Sequence, residues 1–147
     1  MHLTPPQTLV NLVARLTSRL ELGEAASKVL ATLVLSEIPL SQTELVRLTG
    51  YSLSQVSSAL SLLVGLGLVS FVKNGRKRLY YSDKGISELI GEIARKIIEK
   101  DLKPLLRELE KLPLEREKIH FLREECNLAI EKLQESFLKE AVKNVRV

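Results

Sequence analysis

The 147-residue chain holds one cysteine, Cys126, and two histidines, His2 and His120, and only 4% of its residues are aromatic. A lone cysteine closes no internal disulfide, and two histidines so far apart do not offer the spacing of a zinc site. With so few rings no aromatic cage for a quaternary amine is evident, and a small-molecule effector stays open without a visible seat. No apolar run approaches the roughly 20 residues that span a bilayer. The opening Met1-His2-Leu3-Thr4-Pro5-Pro6 lacks the basic start and small-residue cleavage site of a secretory signal, so a cytoplasmic protein is expected. Also missing are a glycine-rich phosphate loop, a metal-ligand spacing, an isolated carboxylate pair and a nucleophile with a sequence-evident base. The expectation is a protein that is not an enzyme and that needs no cofactor or metal.

What is present is a core and an uneven charge. A hydrophobic content of 45% is ample to fold one domain, or a small domain with an appendage. The net charge is +4, from 22 Lys+Arg against 18 Asp+Glu. Between Ser41 and Tyr81 five cations, Arg47, Lys73, Arg76, Lys77 and Arg78, face one acid, Glu44, so this window carries the whole excess and the remainder balances. Charge confined to one element marks a surface that meets a polyanion, whereas even spreading would argue only for solubility.

Read along the chain, Thr4-Pro5 has the form of a helix start, followed by Leu9, Leu12, Val13, Leu16 and Leu20 at helical spacing. A second helix is predicted over 24–36, with Ala26, Val29, Leu30, Leu33 and Val34 as its stripe and Pro39 beyond its end. Ser41-Gln42-Thr43-Glu44 has the form of a capping box and opens a short third helix; Gly50 suits its left-handed terminus. Ser52 to Gln55 repeats the box and opens a helix over 52–63 with Val56, Ala59, Leu60 and Leu63 as its buried face. The opposite face shows Ser54, Gln55, Ser57, Ser58 and Ser61, small or polar and without an acid, which can approach a base pair closely. A strand then starts at Leu68 and turns at Asn74-Gly75, a pair expected to take positive φ at both residues, and a return strand covers 76–81. Lys73, Arg76, Lys77 and Arg78 crowd the hairpin tip. Ser82-Asp83 is expected to cap a long amphipathic stretch with Ile86, Ile90, Ile93 and Ile97 on one stripe. Pro104 kinks or restarts the helix, and a last helix from about Leu114 carries Ile119, Leu122, Cys126, Ala129, Leu133 and Phe137 on one side.

The run Gly50-Tyr51-Ser52-Leu53-Ser54-Gln55-Val56-Ser57-Ser58-Ala59-Leu60, then Leu66-Gly67-Leu68-Val69, a basic hairpin and Tyr81-Ser82-Asp83-Lys84-Gly85, resembles the winged-helix domain of MarR-type regulators, including the GbsR-like branch. The resemblance implies a mostly α fold with a small β-hairpin wing, a winged helix-turn-helix domain flanked by dimerisation helices. Its parts would be an N-terminal dimerisation helix over 1–23, the DNA-binding domain over 24–82 and a C-terminal helical dimerisation region over 83–147. It implies a homodimer on double-stranded DNA, with 52–63 in the major groove and 73–78 on the minor groove or its phosphates. The DNA-binding residues so implied are Ser52, Ser54, Gln55, Ser57, Ser58, Ser61, Lys73, Asn74, Arg76, Lys77 and Arg78. Several relatives carry Arg, His or Lys where this chain has Ser58, Ala59 and Ser61, so its reading helix has lost charged contacts.

The leading function is therefore a sequence-specific transcription regulator, a repressor, acting as a homodimer. One alternative is a weakly specific chromatin-associated protein, favoured by the uncharged reading helix; another is a winged helix used for protein interaction, which needs no cationic hairpin. Arg47 either contacts backbone or solvates its helix. Cys126 sits at an apolar stripe position and is read as a small packed hydrophobe, and His120 as a helix-surface residue. Tyr51 and Tyr80 are expected to pack or to reach phosphate.

Overall fold

The computed structural model describes residues 4–139, and His2 lies outside them. The first helix, α1 (Gln7–Thr17), begins later than the Thr4-Pro5 signal suggests: Pro6 occupies the cap and no side chain closes it, the Val10 amide donating to the Pro6 carbonyl at 3.1 Å. A single 3₁₀ turn, Ser18–Leu20, ends at Glu21 with φ 58. The buried line of this segment is Val10, Thr17 and Leu20, while Leu9 and Leu12 of the expected stripe are exposed. Thr17 belongs to the core because its hydroxyl donates to the Ser27 carbonyl at 2.8 Å, which ties α1 to the next helix and satisfies a polar group that burial would otherwise penalise.

Helix α2 (Glu24–Leu35) is nearly all core: Ala26, Val29, Leu30, Ala31 and Leu33 are buried, together with Ser27 and Thr32. It stops at Leu35, and the Ser36 hydroxyl engages the Ile38 backbone before Pro39. Next comes an element that the sequence reading missed, the two-residue strand β1 (Leu40–Ser41). It pairs antiparallel with the return strand of the hairpin, Leu40 opposite Tyr80 and Ser41 opposite Leu79. Helix α3 (Gln42–Thr49) and helix α4 (Leu53–Gly65) follow, and then the hairpin strands β2 (Ser70–Asn74) and β3 (Lys77–Tyr81). The sheet order β1-β3-β2 places the return strand in the middle. The strand expected from Leu68 starts two residues later, because the Leu68 and Val69 amides both donate to the Leu63 carbonyl, at 3.0 and 3.3 Å, and their side chains are buried. Ser82 does not cap a helix; its hydroxyl donates to the Leu68 carbonyl at 2.9 Å and so closes the base of the hairpin. This unit runs from the N-terminus through Gly85, so α1 belongs to the same unit as the helices after it.

The second unit, from Ile86 onward, is built of helices in its described part, with a non-helical link over 111–116. In α5 (Ile86–Ile97) the buried residues are Leu89, Gly91, Ile93 and Ala94, followed by Ile98; Ile86 and Ile97 of the expected stripe are exposed. Residues Ile98–Leu102 form a π turn, in which the Lys103 amide donates to the Ile98 carbonyl, and α6 (Lys103–Glu110) continues in the right-handed region with Pro104 in its first turn. Proline lacks an N–H and crowds the carbonyl four residues back, and widening the preceding turn relieves both problems without breaking the rod. Helix α7 (Glu117–Leu133), which starts three residues after Leu114, packs on α6 through Leu109, Ile119 and Cys126, with Leu102, Leu106 and Ile130 around them. Leu122 of its expected stripe is exposed.

Candidate nucleic-acid interface

Two capping boxes in succession set the geometry of the helix-turn-helix. At the first, the Glu44 amide donates to the Ser41 hydroxyl at 3.2 Å and the Ser41 amide donates to the Glu44 carboxylate at 3.0 Å. Gly50 closes α3 at φ 77, a conformation that glycine adopts without a Cβ penalty. The Thr49 hydroxyl donates to the Leu45 carbonyl at 2.6 Å and accepts from the Tyr51 amide at 3.3 Å, which fixes the three-residue turn. The second box then starts α4: the Gln55 amide donates to the Ser52 hydroxyl at 3.1 Å, and the Ser52 amide donates to Gln55 Oε1 at 3.0 Å.

On α4 the four expected core positions, Val56, Ala59, Leu60 and Leu63, are all buried. Ser54, Gln55, Ser57, Ser58 and Ser61 are exposed on the remaining circumference, and no charged residue occurs in the helix. Gln55 has a competing engagement. Its amide oxygen is held by the cap, so pairing bidentately with adenine requires that bond to be broken or shared, at a net cost of about 0.5–1.5 kcal/mol.

The wing departs from expectation at its tip. Asn74 pairs with Lys77, so the two central residues are Gly75 and Arg76, and only Gly75 has positive φ, at 66. This is the type II′ arrangement, with glycine at the first central position, in place of an Asn-Gly turn of type I′. The consequence is electrostatic: Arg76 stands at the apex of the loop. Lys73 lies directly opposite Arg78, and like charges across a ladder repel, so the hairpin tolerates a local cost that an anion bound there would relieve. Among the described residues, no carboxylate pairs with Lys73, Arg76, Lys77 or Arg78, and all four side chains are exposed. Arg78 rests over the Phe71 ring at 4.4 Å, and Phe71 meets the buried Tyr80 at 5.8 Å, so one cation is held against the sheet while the apex cations project.

The serine-bearing helix and the basic hairpin open into one cleft of about 420 Å³. It is lined by Ser57 and Ser61 of α4, by Arg76, Lys77, Arg78 and Tyr80 of the hairpin, and by Ser41, Gln42 and Thr43 at the start of α3. Ser52, Ser54, Gln55, Ser58, Lys73 and Asn74 are exposed outside it. Sequence reasoning missed Ser41, Gln42 and Thr43, while Tyr80, expected to pack or to reach phosphate, is buried and borders the cleft. The signal for the first three was the Ser41 capping box itself, since it announces a helix amino terminus whose partial positive charge favours anions. What hid them is the pairing of β1 with β3, which draws that terminus beside the wing.

Other singled-out residues find ordinary settings. The Tyr51 hydroxyl donates to Glu24 at 2.9 Å with Lys28 at 6.0 Å from its ring; burial, followed by the hydrogen bond and the charge of Glu24, pushes its ionisation above the usual phenol value. Those residues border a second cavity of about 540 Å³ beside α1. Arg47 is exposed near the end of α3. His120 lies 3.3 Å from Glu124 on the surface, and the buried Cys126 donates to the Leu102 carbonyl at 3.3 Å. No group of three His, Cys, Asp or Glu that could hold a metal occurs among the described residues, and no helix there is long and apolar enough to cross a membrane.

No curated protein matches the chain. Residues 13–74 match the family described as the RNA polymerase III subunit RPC82 helix-turn-helix domain. A solved chain described as "Crystal Structure of a transcriptional regulator" is 15% identical, with a TM-score of 0.60 over 92% of this chain and 97% of that chain. Together with the three-stranded sheet and the two capped helices, these likenesses establish a mostly helical protein built around a winged helix-turn-helix.

Proposed function

We propose that the protein is a sequence-specific double-stranded-DNA-binding transcription regulator of the MarR type, a repressor without enzymatic activity, acting as a homodimer. The observation that carries this reading is the shared cleft: hydroxyls of α4 and cations of the wing line one concavity, and among the described residues no carboxylate neutralises the cations. Helix α4 enters the major groove, reading edges through Ser54, Ser57, Ser58 and Ser61, with Gln55 as an auxiliary because of its cap bond. Lys73, Arg76, Lys77 and Arg78 lie on the minor groove or its phosphates, which sets register and affinity without reading sequence. Exposed apolar side chains on α1, Leu9 at 46% and Leu12 at 54%, and Phe121 and Leu128 on α7 support the homodimer. Twofold symmetry would then set two α4 helices one DNA turn apart, roughly 34–36 Å, or a multiple of it. Light scattering at micromolar concentration is expected to give the dimer mass, and a monomer mass contradicts it.

The test is the ratio of affinities for the protein's own promoter and for random duplex at fixed salt. A regulator exceeds about 10³, whereas a ratio below about 10 favours a weakly specific chromatin protein, which the uncharged α4 would suit. One observation favours a protein-interaction module: the matched family is described from a polymerase subunit. The uncompensated wing argues against it, since a protein-facing winged helix needs no cationic hairpin. A small-molecule effector stays outside the proposal.

A further inference from the structure

We propose that Leu53 is a specificity-determining residue that reads the C5 methyl group of thymine; this rests on the DNA-binding reading above. Leu53 is the first residue of α4, and at 60% exposure it is the most exposed of the large apolar side chains described. A helix-turn-helix brings the amino-terminal residues of its second helix to the base edges, so the first turn decides what is read. In that turn Gln55 is committed to the cap and Ser54 offers one hydroxyl. The branched apolar group is therefore the largest free reading surface there.

Its backbone is held in place. Gln42 Nε2 donates to the Leu53 carbonyl at 3.4 Å, which ties the start of α4 to α3. Leu53 also heads the i, i+4 row that continues through Ser57 and Ser61, the two residues of α4 that line the cleft with the wing. When the wing engages phosphates, this row is drawn toward the same duplex. On the floor of the major groove the thymine methyl is the apolar feature; the other edge groups are donors and acceptors that a leucine would desolvate without replacing their hydrogen bonds. Water is thus best displaced where a leucine and a methyl meet.

The experiment uses the full chain and duplex fragments of the source genome recovered by the purified protein, each prepared once with thymine and once with deoxyuridine. Removing the methyl is expected to weaken wild-type binding about fourfold for each methyl contacted, the equivalent of roughly 0.8 kcal/mol for a buried methyl-sized group. Leu53→Ala is expected to bind both versions equally, at the level of the wild type on uracil, and Leu53→Met, which keeps an apolar reach, is expected to restore the preference for thymine. Equal wild-type affinity for the two versions overturns the assignment while leaving the DNA-binding reading intact. Discrimination that persists in Leu53→Ala also overturns it, by placing the methyl contact elsewhere. Failure of the wild type to bind even the thymine fragments sinks both.

Discussion

The wing and the C-terminal helices use the same cations in opposite settings. In the C-terminal unit Arg95 pairs with Glu92, Lys103 with Glu99 and Lys111 with Glu108, all within one helical turn and all exposed. Such pairs keep a helix soluble and add a few tenths of a kcal/mol each. In the wing four cations stand within six residues with no carboxylate partner among the described residues, and Lys73 faces Arg78 across the ladder. A hairpin that only needed solubility would gain by alternating signs. Charge left uncompensated, beside a helix that carries none, is what the proposed DNA-binding reading would use as a separation of tasks, the wing for affinity and α4 for discrimination.

Three perturbations sharpen or break this contrast. The largest effect is expected from Arg76→Glu with Arg78→Glu, which reverses four charges in a dimer and should weaken duplex binding about 10³-fold at moderate salt, measured by fluorescence anisotropy. Binding that survives unchanged leaves the protein-interaction reading standing. Next comes Ser57→Val with Ser61→Val: the exposed hydroxyls go while every wing cation stays, so affinity for random duplex should hold and the promoter-to-random ratio should fall about 10- to 100-fold. An equal loss on both duplexes would contradict the separation of tasks. The smallest effect belongs to the control, Lys103→Glu with Lys111→Glu, which should change duplex affinity less than about threefold and thermal stability by under about 1 kcal/mol.

Much of the winged-helix unit was legible because its signals are local. Ser41 to Glu44 and Ser52 to Gln55 satisfy their own helix ends within four residues, and Val56, Ala59, Leu60 and Leu63 repeat at a helical period. What failed depended on partners distant in sequence. Strand β1 is two residues long and exists only because β3 offers it a ladder, so no periodicity could reveal it. The turn shifted by one residue because Asn74 completes the pairing with Lys77, leaving Gly75 to supply the positive φ. On α1 and α5 the apolar residues outnumber the positions the described fold buries, so spacing alone did not separate the exposed Leu12, Ile86 and Ile97 from the buried Val10, Leu89 and Ile98. The cleft divides the same way: of the residues named from the sequence it gathers Ser57, Ser61, Arg76, Lys77 and Arg78, and it adds Ser41, Gln42 and Thr43, which the pairing of β1 with β3 brings beside the wing.

The salt dependence of binding tests the division of labour most directly. With four or five cations per subunit on phosphates, the slope of log affinity against log salt for the wild-type dimer should be roughly −7 to −9. In Arg76→Ala with Arg78→Ala it should become shallower by about 4, because four phosphate contacts are lost per dimer. A wild-type slope near −2, or identical slopes for the two proteins, would contradict the account.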